Sequence, residues 1–178
     1  GFAVRRDGTG GVLLTTRQVV LNAEGEAPVQ LMVLMPGVPQ PIPAQVVATH
    51  PVEDIALLRI QQRGGVSVVQ GLGWREPPVG AGKPVALIGY TPPIAPPAAG
   101  DWKKAAVQAA TATGTAARVA AGFITVDGWG AAVGAGSPLI DGEGLVAGII
   151  STAAPSAGGR LFDAVPVKFA LELLDRLQ

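Results

Sequence analysis

Residues 2–15, FAVRRDGTGGVLLT, set two short apolar runs, Phe2–Arg5 and Val12–Thr15, on either side of Asp7-Gly8. Asp-Gly between such runs marks a tight β-turn, because glycine accepts the positive φ that the turn requires. The same unit recurs along the chain. Further β-like runs are Val29–Met35, Gln45–Thr49, Ile55–Ile60, Val85–Ile88, Trp102–Val119, Phe123–Val126, Leu145–Ser151 and Leu161–Val165. Turn pairs punctuate them: Pro36-Gly37, Gly64-Gly65, Asp127-Gly128, Asp141-Gly142 and Gly158-Gly159. Strands at this spacing, with no helices between them, argue for an antiparallel sandwich or barrel. A parallel sheet would need helical crossovers, and the middle of the chain has none. The expected fold class is all-β.

One helix is expected, over Val167–Leu177, with Val167, Ala170, Leu171, Leu174 and Leu177 on one face. Pro166 stands just before it, where a helix tolerates proline. Its apolar stripe marks it as a packing helix that closes the domain. The polar, proline-rich stretch Arg75–Gly82 divides the chain into near halves, and Tyr90–Gly100 is too rich in proline to pair as a central strand.

The chain has 178 residues, 48% of them hydrophobic, enough for one domain or two small lobes with a core. Its 25 glycines and 16 prolines suit many short strands and tight turns. Thirteen basic residues balance thirteen acidic ones, which argues against a nucleic-acid or anionic-membrane partner. Without cysteine there is no disulfide framework, Cys metal site or thiol nucleophile. No apolar run approaches the ~20 residues of a membrane span. The chain opens on strand-like residues without an initiator Met, and we expect a segment of a longer protein. Trp74, Trp102 and Trp129 are too dispersed for a stacking platform and are expected to pack in cores or rims.

Four segments in order resemble the trypsin-like domain of the HtrA family. Gly1-Phe2-Ala3-Val4, Asp7-Gly8 and the run Val12–Val20 resemble its opening strand, turn and base-bearing segment. Ala48–Ile60 resembles the segment with the triad aspartate, and Pro84–Tyr90 the strand that opens the second barrel. Val133-Gly134-Ala135-Gly136-Ser137-Pro138-Leu139-Ile140, followed by Leu145–Ile149, is similar to the nucleophile loop and the strand after it. Ala164-Val165-Pro166 matches the closure before the last helix. The resemblance covers nearly the whole chain. It implies a double six-stranded β-barrel with a C-terminal helix, lobe 1 over about residues 1–78, lobe 2 over about 79–165 and the helix over 166–178. The late start implies that lobe 1 lacks an opening strand.

Serine-protease chemistry needs a hydroxyl nucleophile, a base titrating near neutrality and a carboxylate to orient the base. The resemblance carries these roles onto Ala135, Gln18 and Asp54, and the oxyanion-hole positions onto Val133, Gly134 and Ala135. Only Asp54 keeps its residue type. A glutamine amide takes up no proton near neutral pH, and alanine has no nucleophilic atom. An engineered change in a periplasmic protease could explain Ala135 but not Gln18 as well, so natural degeneracy is expected. Valine at 133 restricts a turn where the family has glycine. Ser137 has no base beside it and is expected to be a turn hydroxyl.

Two roles follow. The first is a non-catalytic binding or scaffold domain that receives a protein or peptide by strand addition. HtrA-like domains assemble into homo-oligomers beside peptide-binding modules, in an exported compartment such as the bacterial periplasm, and the resemblance implies the same here. No cofactor is required for this role. The second is a divalent transition-metal site at His50, Glu53 and Asp54, one imidazole and two carboxylates within five residues. Degenerate trypsin-like domains of magnetosome biomineralisation proteins bind such metals, and Pro43-Ala44-Gln45-Val46-Val47 together with the lost triad resembles that group.

Overall fold

The computed structural model describes residues 1–7, 10–35, 38, 40–61, 71–91, 108–130, 134–152 and 161–177. Five strands build the first sheet: β1 (Phe2–Asp7), β2 (Gly10–Thr15), β3 (Leu31–Val33), β4 (Ile42–Thr49) and β5 (Ala56–Gln61). They lie in the order β1-β2-β5-β4-β3, all antiparallel. A one-turn helix, α1 (Arg17–Val20), follows β2. The second half contributes β6 (Pro84–Thr91), β7 (Gln108–Val119), β8 (Ile124–Gly130), β9 (Pro138–Asp141), β10 (Val146–Thr152) and β11 (Leu161–Pro166), and these six close into a barrel. The C-terminal helix α2 covers Val167–Asp175. A closed barrel, a second antiparallel sheet and one short C-terminal helix form the two-lobed β architecture that the sequence predicts. The first sheet carries five strands among the described residues, not six, with β1 and β3 at its edges.

Both faces of β2 and of the first half of β5 are buried, which explains their apolar runs, whereas Arg59 and Gln61 of β5 are exposed. Leu13, Ala56, Leu58 and Ile60 point into the first lobe. Val12, Leu14, Ile55 and Leu57 point the other way and pack with Ile149, Val165, Ala170, Leu173 and Leu174. Period-two alternation thus feeds two cores. The second of these joins lobe 1 to β10, β11 and α2, so the lobes share one apolar seam. The barrel has its own interior around Leu87, Ile124, Val126, Leu139 and Ile150.

Three expectations need correction. Asp127-Gly128 is not a turn but lies inside β8, where Gly128 pairs with Gly114. A Cβ on Gly128 would stand 3.0 Å from the Phe162 ring, so glycine serves close packing there. Strand β9 is additional, hidden behind Gly136-Ser137-Pro138, where proline takes the first strand position. On α2 the buried residues are Val167, Ala170, Leu173 and Leu174, with Leu173 in place of Leu171.

The connector after the first sheet is stitched to β10. Trp74 bridges Val146, the Arg75 N–H donates to the Val146 carbonyl (2.9 Å), and the Val146 N–H donates to the Gly73 carbonyl (2.9 Å). Residues 92–107, with Trp102, lie outside the described residues. Among the described residues, no helix is long and apolar enough to cross a membrane.

Candidate functional site

Strand β2 ends at Thr15, and Thr16, fully buried in extended conformation, begins α1. A helix start leaves N–H groups without intrahelical acceptors. Here the Gln18 N–H finds one across the sheet, donating to Asp54 Oδ1 at 2.9 Å. The Gln18 side chain turns to the same carboxylate, with Nε2 2.6 Å from Asp54 Oδ2. Its second amide hydrogen goes to the Ser151 carbonyl. Ser151 closes the network from β10, its Oγ donating to Asp54 Oδ2 at 3.1 Å. Lobe 1 therefore supplies Gln18 and Asp54, lobe 2 supplies Ser151, and the three meet where the lobes join. Ser151 was not among the sequence candidates. A hydroxyl at the end of an apolar strand has no periodic signature, and its role appears only when β10 is laid beside the β4–β5 connection.

The β4–β5 connection that presents Asp54 is organised by His50. This side chain is buried, at 6% exposure. Its Nδ1 accepts from the Glu53 N–H (2.9 Å) and the Val52 N–H (3.3 Å). The His50 N–H in turn donates to the Ile55 carbonyl at 3.0 Å. Since Nδ1 accepts, the ring hydrogen sits on Nε2, which faces Glu172 at 3.8 Å. The ring meets Phe169 edge-on at 5.4 Å. His50 thus folds the Pro51–Asp54 turn and fastens it to α2.

That geometry does not fit the metal set His50, Glu53 and Asp54. The His50 Nδ1 is spent on backbone N–H groups, its Nε2 faces α2, and the Asp54 carboxylate is turned to Gln18 and Ser151. Among the described residues, no group of three or more His, Cys, Asp or Glu is placed to hold a metal ion.

The loop carrying Ala135 packs on the residues that precede α1. Gly136 has φ +82°, the left-handed region that favours glycine. A Cβ there would come within 2.4 Å of Thr15 Oγ1 and 3.3 Å of the Thr16 nitrogen. The Gly136 N–H donates to the Ile150 carbonyl (2.7 Å), and the Ile150 N–H returns a bond to the Ser137 carbonyl (2.9 Å). Gly136 and Ile150 are the chain neighbours of Ala135 and Ser151, so this loop lies at the same seam. Among the described residues the Ala135 N–H meets no acceptor, whereas the Ser137 N–H closes a turn onto the Gly134 carbonyl (3.3 Å). Ser137 is buried, at 4% exposure. Val133 lies outside the described residues.

Two open cavities flank the network, of about 620 Å³ beside Gln18 and about 540 Å³ beside Glu53, with Asp54 and Ser151 on the wall of both. The arrangement orients an amide with a half-buried carboxylate and leaves an open cleft on either hand. No curated protein matches the chain. The trypsin-like peptidase domain family matches over residues 1–149, which include the first sheet, β6 to β9 and the start of β10, and hold Gln18, Asp54 and Ala135 but not Ser151. The chain belongs to the trypsin-like peptidase domain family.

Proposed function

We propose that this chain is a non-catalytic trypsin-like domain of the HtrA kind, which holds an extended protein or peptide segment in the cleft between its lobes without cleaving it. The observation that carries this reading is the bonding of Gln18. A base would need a nitrogen lone pair turned toward a nucleophile. Gln18 instead gives both amide hydrogens away, to Asp54 and to Ser151. Its remaining oxygen accepts hydrogen bonds but does not take up a proton near pH 7. The facing loop offers the methyl group of Ala135. Loss of base or nucleophile costs roughly 10⁶ in turnover in a serine protease. The HtrA-like order of segments also supports an exported compartment and a homo-oligomer.

The test is a fluorogenic casein assay run beside pull-downs on the immobilised domain. We expect intact partner retained and no casein hydrolysis above buffer. Hydrolysis that scales with protein concentration refutes the reading.

A further inference from the structure

The acceptors around Gln18 fix which way its amide points. The two ends of a carboxamide look alike in outline but differ in chemistry, and the surrounding network decides between them. Asp54 Oδ2 and the Ser151 carbonyl oxygen only accept, so both must face the nitrogen. Both Nε2 hydrogens are then spent. Among the described residues nothing donates to Gln18 Oε1, and Gln18 is exposed beside the 620 Å³ cavity. The side chain thus offers a ligand one function only, a fixed hydrogen-bond acceptor.

Charge decides which donor suits it. Among the described residues, the two cavities that share Asp54 are lined by four carboxylates, from Glu24, Glu53, Asp54 and Asp163. Among the described residues, the cation in their lining is Arg17, whose guanidinium donates to the His50 carbonyl (3.4 Å). An acceptor oxygen backed by a carboxylate, in an acidic cleft, matches a donor that carries positive charge.

We propose that Gln18 Oε1 is a recognition group for a protonated primary amine, the side chain of a lysine on an extended peptide lying across the Asp54–Ser151 wall. This rests on the peptide-holding role proposed above and names the chemistry that the cleft selects. Gln18 accepts from the ammonium N–H, while Asp54 supplies charge from behind and orients the amide. Trimethylation of the lysine keeps the charge and removes every N–H, so it separates hydrogen-bond recognition from simple attraction.

The experiment is fluorescence anisotropy on the whole chain, with fluorescein-labelled heptapeptides of alternating alanine and one variable residue. The variable residue is lysine, N,N,N-trimethyl-lysine, alanine or glutamate. We expect the lysine peptide to bind at least tenfold more tightly than the trimethyl-lysine peptide, and the glutamate peptide to bind weakest. In Gln18→Ala the lysine peptide should weaken about tenfold while the trimethyl-lysine peptide barely changes. Equal affinity for lysine and trimethyl-lysine, or for lysine and alanine, overturns the amine recognition while leaving peptide holding intact. Failure of every peptide to bind overturns both.

Discussion

Asp54 and Asp141 each accept three hydrogen bonds, yet the two sites are built in opposite ways. Asp141 ends β9 and is buried, at 8% exposure. It receives the Glu143 and Leu145 N–H groups at 2.8 and 2.9 Å, plus the Arg75 guanidinium at 2.9 Å. Two of its donors come from the next four residues, and the third is a cation that also pairs with Glu143 at 2.8 Å. This carboxylate holds together one turn, β9 to β10, and ties the connector to it. Asp54 takes its donors from 36 and 97 residues away, none of them charged. The two bonds from Gln18 join separate segments of lobe 1, the bond from Ser151 forms only when the lobes have met, and all three lie on a cleft wall. A local, charge-assisted site serves stability, whereas a long-range, neutral, exposed one serves to aim a side chain.

Substitutions sharpen this contrast. The largest loss of stability should come from Asp141→Ala, about 2–3 kcal/mol in urea unfolding, because a charge-assisted bond is lost and three donors lose their acceptor. An effect below about 0.5 kcal/mol would erase the distinction. The same site predicts acid sensitivity. Burial pushes the Asp141 carboxyl up, but the Leu145 and Glu143 N–H groups and Arg75 outweigh it and hold the group below the usual carboxylate range. A carboxyl with a depressed folded value gives stability that is present above its unfolded value, about 4, and fades as pH falls through the lower folded value. Stability of the wild-type chain should therefore drop below about pH 4, and Asp141→Asn should flatten that part of the profile.

Next in size is His50→Ala, about 1–2 kcal/mol, from two orphaned backbone N–H groups and lost packing on Phe169. It should also weaken peptide binding, since the turn that presents Asp54 loosens. Unchanged binding in a destabilised variant would separate His50 from the cleft. Asp54→Ala should cost less than about 1 kcal/mol, as its bonds are exposed, but should lower lysine-peptide affinity at least tenfold. Ser151→Ala should have the smallest effect on stability, within about 0.5 kcal/mol, because the Ser151 carbonyl keeps its bond to Gln18.

Much of the fold was legible because period and punctuation coincide. Phe2–Arg5, Asp7-Gly8 and Val12–Thr15 announce a hairpin, and β1 pairs with β2 with Phe2 opposite Leu14 and Asp7 opposite Gly10. Where local chemistry and tertiary packing disagreed, packing prevailed. Asp127-Gly128 has turn composition, yet the Phe162 ring and the Thr113 carbonyl claim the space a side chain would fill. Pro138 disguises β9, whose four residues are all buried between β6 and β10. At the site, Gln18, Asp54 and Ala135 could be singled out because motifs carry order along the chain. Ser151 could not, since its part depends on a contact 97 residues distant in sequence. The proximity of His50 to Asp54 suggested a shared ligand, whereas the turn points the imidazole into α2 and the carboxylate into the cleft.

The proposed absence of an activated nucleophile is tested most directly with a fluorophosphonate probe, which phosphonylates serines, with loss of fluoride, only when a neighbouring base activates them. The chain is incubated with probe at neutral pH and its intact mass is measured. We predict an unchanged mass after prolonged exposure. Stoichiometric addition of one probe, mapped to a serine or threonine at the lobe seam such as Ser151 or Ser137, would contradict the account.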